Sequence, residues 1–203
     1  MATFSVTVDE YDTAGLASHC GGPEWTLDPG RAALLVHDAQ PYYLNVLAPG
    51  VRARLLTALD SALAWADHHQ VPVLASAPRP ARMADQRGLL GSLWGLGPDA
   101  GQVREVALER LREDDVTWIA KRSYSAYYAS DLEAELRRTR RAQLVVVGVY
   151  ASAGITATSL DAFARDTKVF VPVDATADYT ARHHARGLDL VAALSGRVIA
   201  TIG

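Results

Sequence analysis

Ala32-Ala33-Leu34-Leu35-Val36-His37 is an almost wholly apolar run that ends on a polar residue, Asp38. A strand with one wet face alternates apolar and polar side chains; a run without alternation must be covered on both faces, as a central strand of a parallel sheet is. Working outward toward the C-terminus, Val51, Leu55, Leu59 and Leu63 recur every fourth residue with Leu56 and Ala66 beside them. That spacing puts one apolar stripe on a helix running to about His69, suited to packing on the sheet. The alternation then repeats. VPVLASA (71–77) reads as a strand, a Pro-, Arg- and Gly-rich stretch follows from Pro78 to Gly101, a helical pattern covers Val103 to Arg112, and VTWIAK (116–121) is the next strand. Ser130 with Glu133 has capping-box spacing before Leu132 and Leu136, predicting a helix over about 130–140. QLVVVGV (143–149), a helix over 152–165, KVFVPVD (168–174), a helix from Ala181 to Leu194 and RVIAT (197–201) complete the chain. Strands separated by helices of crossover length predict an α/β fold, a six-stranded parallel sheet flanked by helices in three layers. Toward the N-terminus, the lead-in to about Pro29 has tandem glycines, Gly21 and Gly22, and no sustained period, so it is expected to wrap the domain as irregular chain with a short helix.

Composition narrows the function. The 203 residues, 49% hydrophobic and 21% charged, fit one globular domain spanning 1–203. A net charge of -3 supplies no basic footprint for nucleic acid or an anionic membrane surface, and no apolar run approaches the ~20 residues that span a bilayer. The start, MATFSVTVDEYDTAG, lacks the basic and apolar regions of a signal peptide, and the lone Cys20 fits a reducing compartment, so the expected location is cytoplasmic. No metal is expected. The pairs His68–His69 and His183–His184 are adjacent on helices and diverge by about 100°, the arrangement of surface or cap histidines instead of shared ligands. GLGPDAG (95–101) follows Trp94 and not a strand, so it is not read as a cofactor loop; Arg137, Arg138, Arg140 and Arg141 end a helix, where cations complement the dipole.

In a sheet of this kind ligands bind beyond the carboxyl ends of the strands. The residues there are Asp38, then Pro78 and Arg79, then Lys121, then Tyr150 through Gly154, then Asp174 and Asp178. A strand-end Asp alone is a common turn former and a strand-end Lys alone a solvated charge. Together on one rim, beside a helix start whose N–H groups can receive an anion, they read as an acid–base site for an anionic ligand.

Several of these segments, in this order, resemble the isochorismatase-like hydrolase family: WTLDPGRAALLVHDAQPYYL (25–44), DQRGLLGSLWGLG (85–97), KRSYSAYYASDL (121–132) and GVYASAGITATSLDAFARDTKVFVPVDATADYT (148–180). The resemblance covers almost the whole chain and implies a six-stranded parallel sheet, no cofactor, a homodimer and a non-proline cis bond between Val149 and Tyr150. Many members are amide hydrolases with an Asp, a Lys and a nucleophilic Cys; Gly154 stands at the Cys position here. The sequence is therefore most similar to the isochorismatases and the phenazine-pathway aminodeoxyisochorismate hydrolases. The activity this implies is hydrolysis of the enolpyruvyl vinyl ether of isochorismate or 2-amino-2-deoxyisochorismate, which needs a proton and water but no protein nucleophile. Pyruvate and a dihydroxylated or aminohydroxylated cyclohexadiene acid would be the products. Residue by residue, the resemblance makes Asp38 the general acid, Lys121 its catalytic neighbour, and Gln40, Tyr42, Arg87, Trp94, Tyr124, Tyr150 and Gly154 substrate-binding. Close relatives carry a substrate-contacting Gln where this chain has Pro78, which offers neither a side-chain hydrogen bond nor an N–H. The alternatives are a catalytically silent member that binds a small carboxylic acid or a protein, and an amide hydrolase dependent on Cys20.

Overall fold

A computed structural model describes residues 6–111 and 116–202. The Arg112 end of the predicted 103–112 helix, and the first five residues of the lead-in, lie outside the described residues.

The sheet is parallel throughout. Its strands are β1 (Ala32–His37), β2 (Val73–Pro78), β3 (Thr117–Lys121), β4 (Gln143–Val149), β5 (Lys168–Pro172), the two-residue β6 (Thr176–Ala177) and β7 (Gly196–Ile199). The order is β3-β2-β1-β4-β5-β7, with β6 paired to β4. Six long strands agree with the sequence reading; β6 is an addition, too short to carry a period. The apolar runs decide the layering. Every residue of β1 and β4 is buried. Successive side chains feed two cores: Ala32, Leu34, Val36, Val145 and Val147 face one, and Ala33, Leu35, Leu144 and Val146 the other.

On the first face lies α2 (Pro49–His68), docking Val51, Leu55, Leu59, Ala62, Leu63 and Ala66; the short α1 (Pro41–Leu44) precedes it. On the second lie α4 (Leu132–Arg138), α5 (Thr156–Phe163) and α6 (Ala181–Leu194), contributing Leu136, Ala162 and Leu188. Between β2 and β3 the described residues of the crossover hold only α3 (Leu89–Trp94) and isolated 3-10 turns.

Two local expectations are corrected. The helix predicted from Val103 is a single 3-10 turn, Gln102–Arg104, followed by irregular chain. Val103 and Leu108 are both buried although five residues apart; on a regular helix they would sit about 140° round the axis, whereas the irregular chain turns each of them to the core separately. The Ser130–Glu133 box does not form either. Ser130 Oγ accepts from Leu132 N–H at 3.3 Å while Glu133 pairs with Arg137 and Arg165. The lead-in behaves as read: a 3-10 helix, Thr13–His19, then an antiparallel bridge from Gly21 to Val198 on the β7 edge.

Candidate active site

The strand order runs one way from β1 and the other way from β4, so the crossovers leaving these neighbours diverge and open a crevice at their carboxyl ends. A cavity of about 470 Å³ occupies it. Asp38, the residue after β1, lies at its base in the left-handed region, φ 50°, which Asp tolerates better than most side chains. Its carboxylate is held from both sides. Lys121, the last residue of β3, donates to Oδ2 at 2.8 Å, and the Ser76 hydroxyl donates to Oδ1 at 3.1 Å. The second donor of the ammonium goes to the Ser123 carbonyl at 2.9 Å. The Lys121 and Asp38 side chains are 5% and 12% exposed, so the pair is nearly dry and the small remaining exposure opens on the cavity.

The other charges lining the cavity are Arg79, Arg87 and Arg122, all cationic. Arg87 is set in place by the crossover that carries it. Its Nη1 donates to the Gly95 carbonyl at 2.6 Å, and the guanidinium packs so closely on Gly97 that a Cβ there would fall 2.6 Å from Arg87 Cζ. Trp94 Nε1 donates to the Tyr124 hydroxyl at 2.6 Å, tying the same crossover to the segment after β3. Opposite, Tyr150 stacks on Tyr179 with ring centres 4.1 Å apart, and its hydroxyl donates to the Tyr43 carbonyl at 2.8 Å. Burial pushes the Tyr43 and Tyr150 phenols far above their usual range and Tyr179 up to about 12, so all three are neutral walls. The Val149–Tyr150 bond is cis.

The cavity thus gathers Asp38, Lys121, Tyr42, Arg87, Trp94, Tyr124, Tyr150 and Gly154, with Pro78 on its wall in register with Lys121. Gln40 is not among them. It is buried, its Nε2 donates to the Ser76 carbonyl at 3.0 Å, and it borders a separate crevice without room for a ligand. The chain turns into α1 directly after Gln40, which aims that side chain back along β2 and away from the cavity. The anion-receiving helix start is also different from expectation. A π turn, Ala151–Ile155, precedes α5; Ser152 N–H donates to Asp178 Oδ2 at 2.7 Å, and Ala153 and Ile155 N–H donate to the Tyr150 carbonyl. A carboxylate of the protein already fills that role. His184, read as a surface or cap residue, is fully buried, whereas His183 does belong to the Thr180 cap. Cys20 is exposed in the lead-in and is not a lining residue.

Three contributors escaped the sequence reading. Ser76 is the one hydroxyl in an otherwise apolar strand and faces His37 in register, a signal that was available. Tyr43 and Tyr179 gave none, because their approach depends on the closure of distant loops. Among the described residues no group of three or more His, Cys, Asp or Glu side chains could hold a metal ion, and no helix is long and apolar enough to cross a membrane.

A doubly wound parallel sheet with an Asp–Lys pair buried at its switch point defines an α/β protein with an acid–base site. Residues 32–202 match the family described as Isochorismatase domain. The chain is 35% identical over 179 residues to "Phenazine biosynthesis protein PhzD" of Pseudomonas fluorescens, covering 88% of this chain and 86% of that protein. It is 35% identical over 181 residues to "Enterobactin synthase component B" of Escherichia coli (strain K12), covering 88% of this chain but 64% of that longer protein's length. Its fold is similar to the crystal structure of a cysteine hydrolase from Pseudomonas syringae pv. phaseolicola 1448A, with TM-score 0.73 at 23% identity over 86% of this chain and 91% of the other. This chain belongs to the isochorismatase family.

Proposed function

We propose that this protein hydrolyses the enolpyruvyl vinyl ether of isochorismate or 2-amino-2-deoxyisochorismate. One observation carries the reading: among the described residues a single carboxylate, Asp38, is paired with Lys121 in a cavity whose other charges are three arginines and whose lining includes no thiol. Such a site suits a small dicarboxylate that needs a proton and not a protein nucleophile. Arg87, already fixed by Gly95, takes one substrate carboxylate, and Lys121 lies where the second would approach Asp38. Bringing two carboxylates in and driving water out both favour the neutral acid form of Asp38. Asp38 then gives its proton to the methylene carbon of the enolpyruvyl group. The ether oxygen stabilises the resulting oxocarbenium ion, water adds to its cationic carbon, the one bearing the ether oxygen, with loss of a proton, and the hemiketal collapses to pyruvate and the ring alcohol. The aromatic walls, Tyr42, Trp94 and Tyr124, enclose the ring. A homodimer is proposed on the family resemblance, with sedimentation velocity as its check.

Pyruvate release, coupled to lactate dehydrogenase, tests the reaction. In heavy water the pyruvate methyl group should carry one solvent deuteron. Asp38→Asn is nearly isosteric and should fold, yet lose about 10²–10⁴-fold in kcat, the usual worth of a general acid. A folded, substrate-binding Asp38→Asn protein within about threefold of the parent rate would refute the assignment. No pyruvate from either substrate, with binding retained, would favour a silent carboxylate-binding member.

A further inference from the structure

The residue before the proposed acid, His37, has no part in the steps above, yet it is buried under the site and has polar contacts at both ring nitrogens. Its side chain is 0% exposed. Nδ1 lies 2.9 Å from the Val149 carbonyl oxygen and Nε2 lies 3.1 Å from the Tyr124 carbonyl oxygen. A neutral imidazole donates to one of these carbonyls and an imidazolium to both. Either way the ring spans from the end of β4 to the segment after β3, and rotating it would break the carbonyl hydrogen bond it makes there. The ring is therefore a fixed obstacle and not the free end of a flexible chain.

Gly154 sits directly against that obstacle. A Cβ on residue 154 would lie 2.2 Å from His37 Cε1, 2.9 Å from Nε2 and 3.0 Å from Nδ1. No side chain fits there while the imidazole holds its place. Gly154 lines the cavity, as Asp38 does, and His37 Nδ1 is 3.6 Å from Asp38 Oδ2. A side chain at residue 154 would therefore leave the cavity wall and take the space of the imidazole, beside the Asp38 carboxylate. We propose that His37 is a specificity-determining positioning residue: its imidazole fills the space of any side chain at 154 and so reserves the Asp38 site for attack by water. This rests on the reading that the reaction uses no protein nucleophile, and it locates the reason in residue 37 as much as in residue 154.

The test is a mutant cycle in a Cys20→Ser background, so that any thiol present is at residue 154. Parent, Gly154→Cys, His37→Ala and the double variant are compared by thermal unfolding. With His37 in place, Gly154→Cys should lower the midpoint by roughly 5 °C or more, as expected of overpacking in a dry core. With Ala at 37 the same substitution should cost less than about half as much. Equal losses in the two backgrounds overturn the proposal. If Gly154→Cys does not fold, recovery of folded protein in the double variant supports it, and failure of the double where His37→Ala folds overturns it. If His37→Ala does not fold, His37→Asn, smaller than imidazole and still a donor, replaces it with the same two outcomes. In the folded double variant, iodoacetamide should alkylate residue 154 from the cavity; a thiol that stays unlabelled in native protein overturns the placement. Neither readout uses an enolpyruvyl ether, so a parent protein that releases no pyruvate refutes the proposed function and leaves this cycle intact.

Discussion

Acidification should destabilise this protein through His184. The Tyr11 hydroxyl lies 3.1 Å from Nδ1 and Thr176 Oγ1 lies 2.9 Å from Nε2. Thr176 already donates toward the Pro172 carbonyl at 3.0 Å, so its oxygen accepts from Nε2–H, and Nδ1 accepts from Tyr11. Both nitrogens are satisfied in one neutral tautomer, leaving no site for a second proton. Burial is the main cause that brings the pKa down from the ordinary 6.5 to about 3. Between those values the unfolded chain binds a proton that the native protein does not. Stability is therefore complete above about pH 6.5 and falls as the pH drops toward about 3. At about 1.4 kcal/mol per pH unit, moving from near pH 7.5 to near pH 5 removes about 2 kcal/mol. Urea unfolding of the parent and His184→Gln at both pH values measures it. The variant is less stable near neutrality but should lose about 2 kcal/mol less on acidification. Other groups, including His37, which burial also pushes down, titrate in both proteins and cancel in the difference. Losses that agree within about 0.5 kcal/mol would refute the tautomer and burial argument. Tyr11 also accepts from Asp178 N–H, and Asp178 holds Ser152 N–H two residues from Gly154, so the same acid step should loosen the site.

Lys121→Met leaves the Asp38 carboxylate dry and unpaired, and should cost about 3–5 kcal/mol in urea unfolding near neutral pH; a loss below about 1 kcal/mol would mean that solvent reaches the pair. Pro78→Gln restores a hydrogen-bonding side chain to the cavity wall and should raise kcat/KM for isochorismate by about 2- to 12-fold, one hydrogen bond's worth. If it lowers kcat/KM for every substrate tried, the wall is built for a different molecule. Arg87→Ala should raise KM far more than it lowers kcat, because the guanidinium is held ready by Gly95 before substrate arrives; an equal fall in kcat and kcat/KM would place Arg87 in the transition state instead.

The legibility of each feature in the sequence depends on how it is encoded. β1 and β4 are covered on both faces, so their composition alone announced them. The rim residues Asp38, Lys121 and Gly154 could be found from their positions just past the apolar runs, because parallel strands put all those ends on one side. The misses have a different origin. Adjacent histidines on α6 diverge by about 100°, which argues against joint ligation but equally places one of them inward. His184 lies four residues before Leu188 and seven before Val191, on the buried stripe, and that spacing was readable. Gln40 could not be placed, since its direction depends on a backbone turn into α1 that composition does not encode.

The helix start after β4 shows most plainly where one-dimensional reading ends. Its pattern, small residues after a buried strand, promises N–H groups for a ligand anion. The fold brings Asp178 back to Ser152 instead, with the carboxylate accepting from Ser152 and Tyr179 N–H together. Gly187 lets α6 approach this same turn, since a Cβ there would lie 2.5 Å from the Ala151 carbonyl carbon. The turn is thus locked by a carboxylate and a close helix, and Gly154 is presented to the cavity as backbone. Under the proposed function substrate charge is then met elsewhere, by Lys121 and the arginines, which belong to the β2–β3 side of the crevice. One wall of the site is fixed shape and the other carries charge, so variants on the β4 side should alter which side chains the cavity admits, while variants on the β2–β3 side should alter which anions it holds.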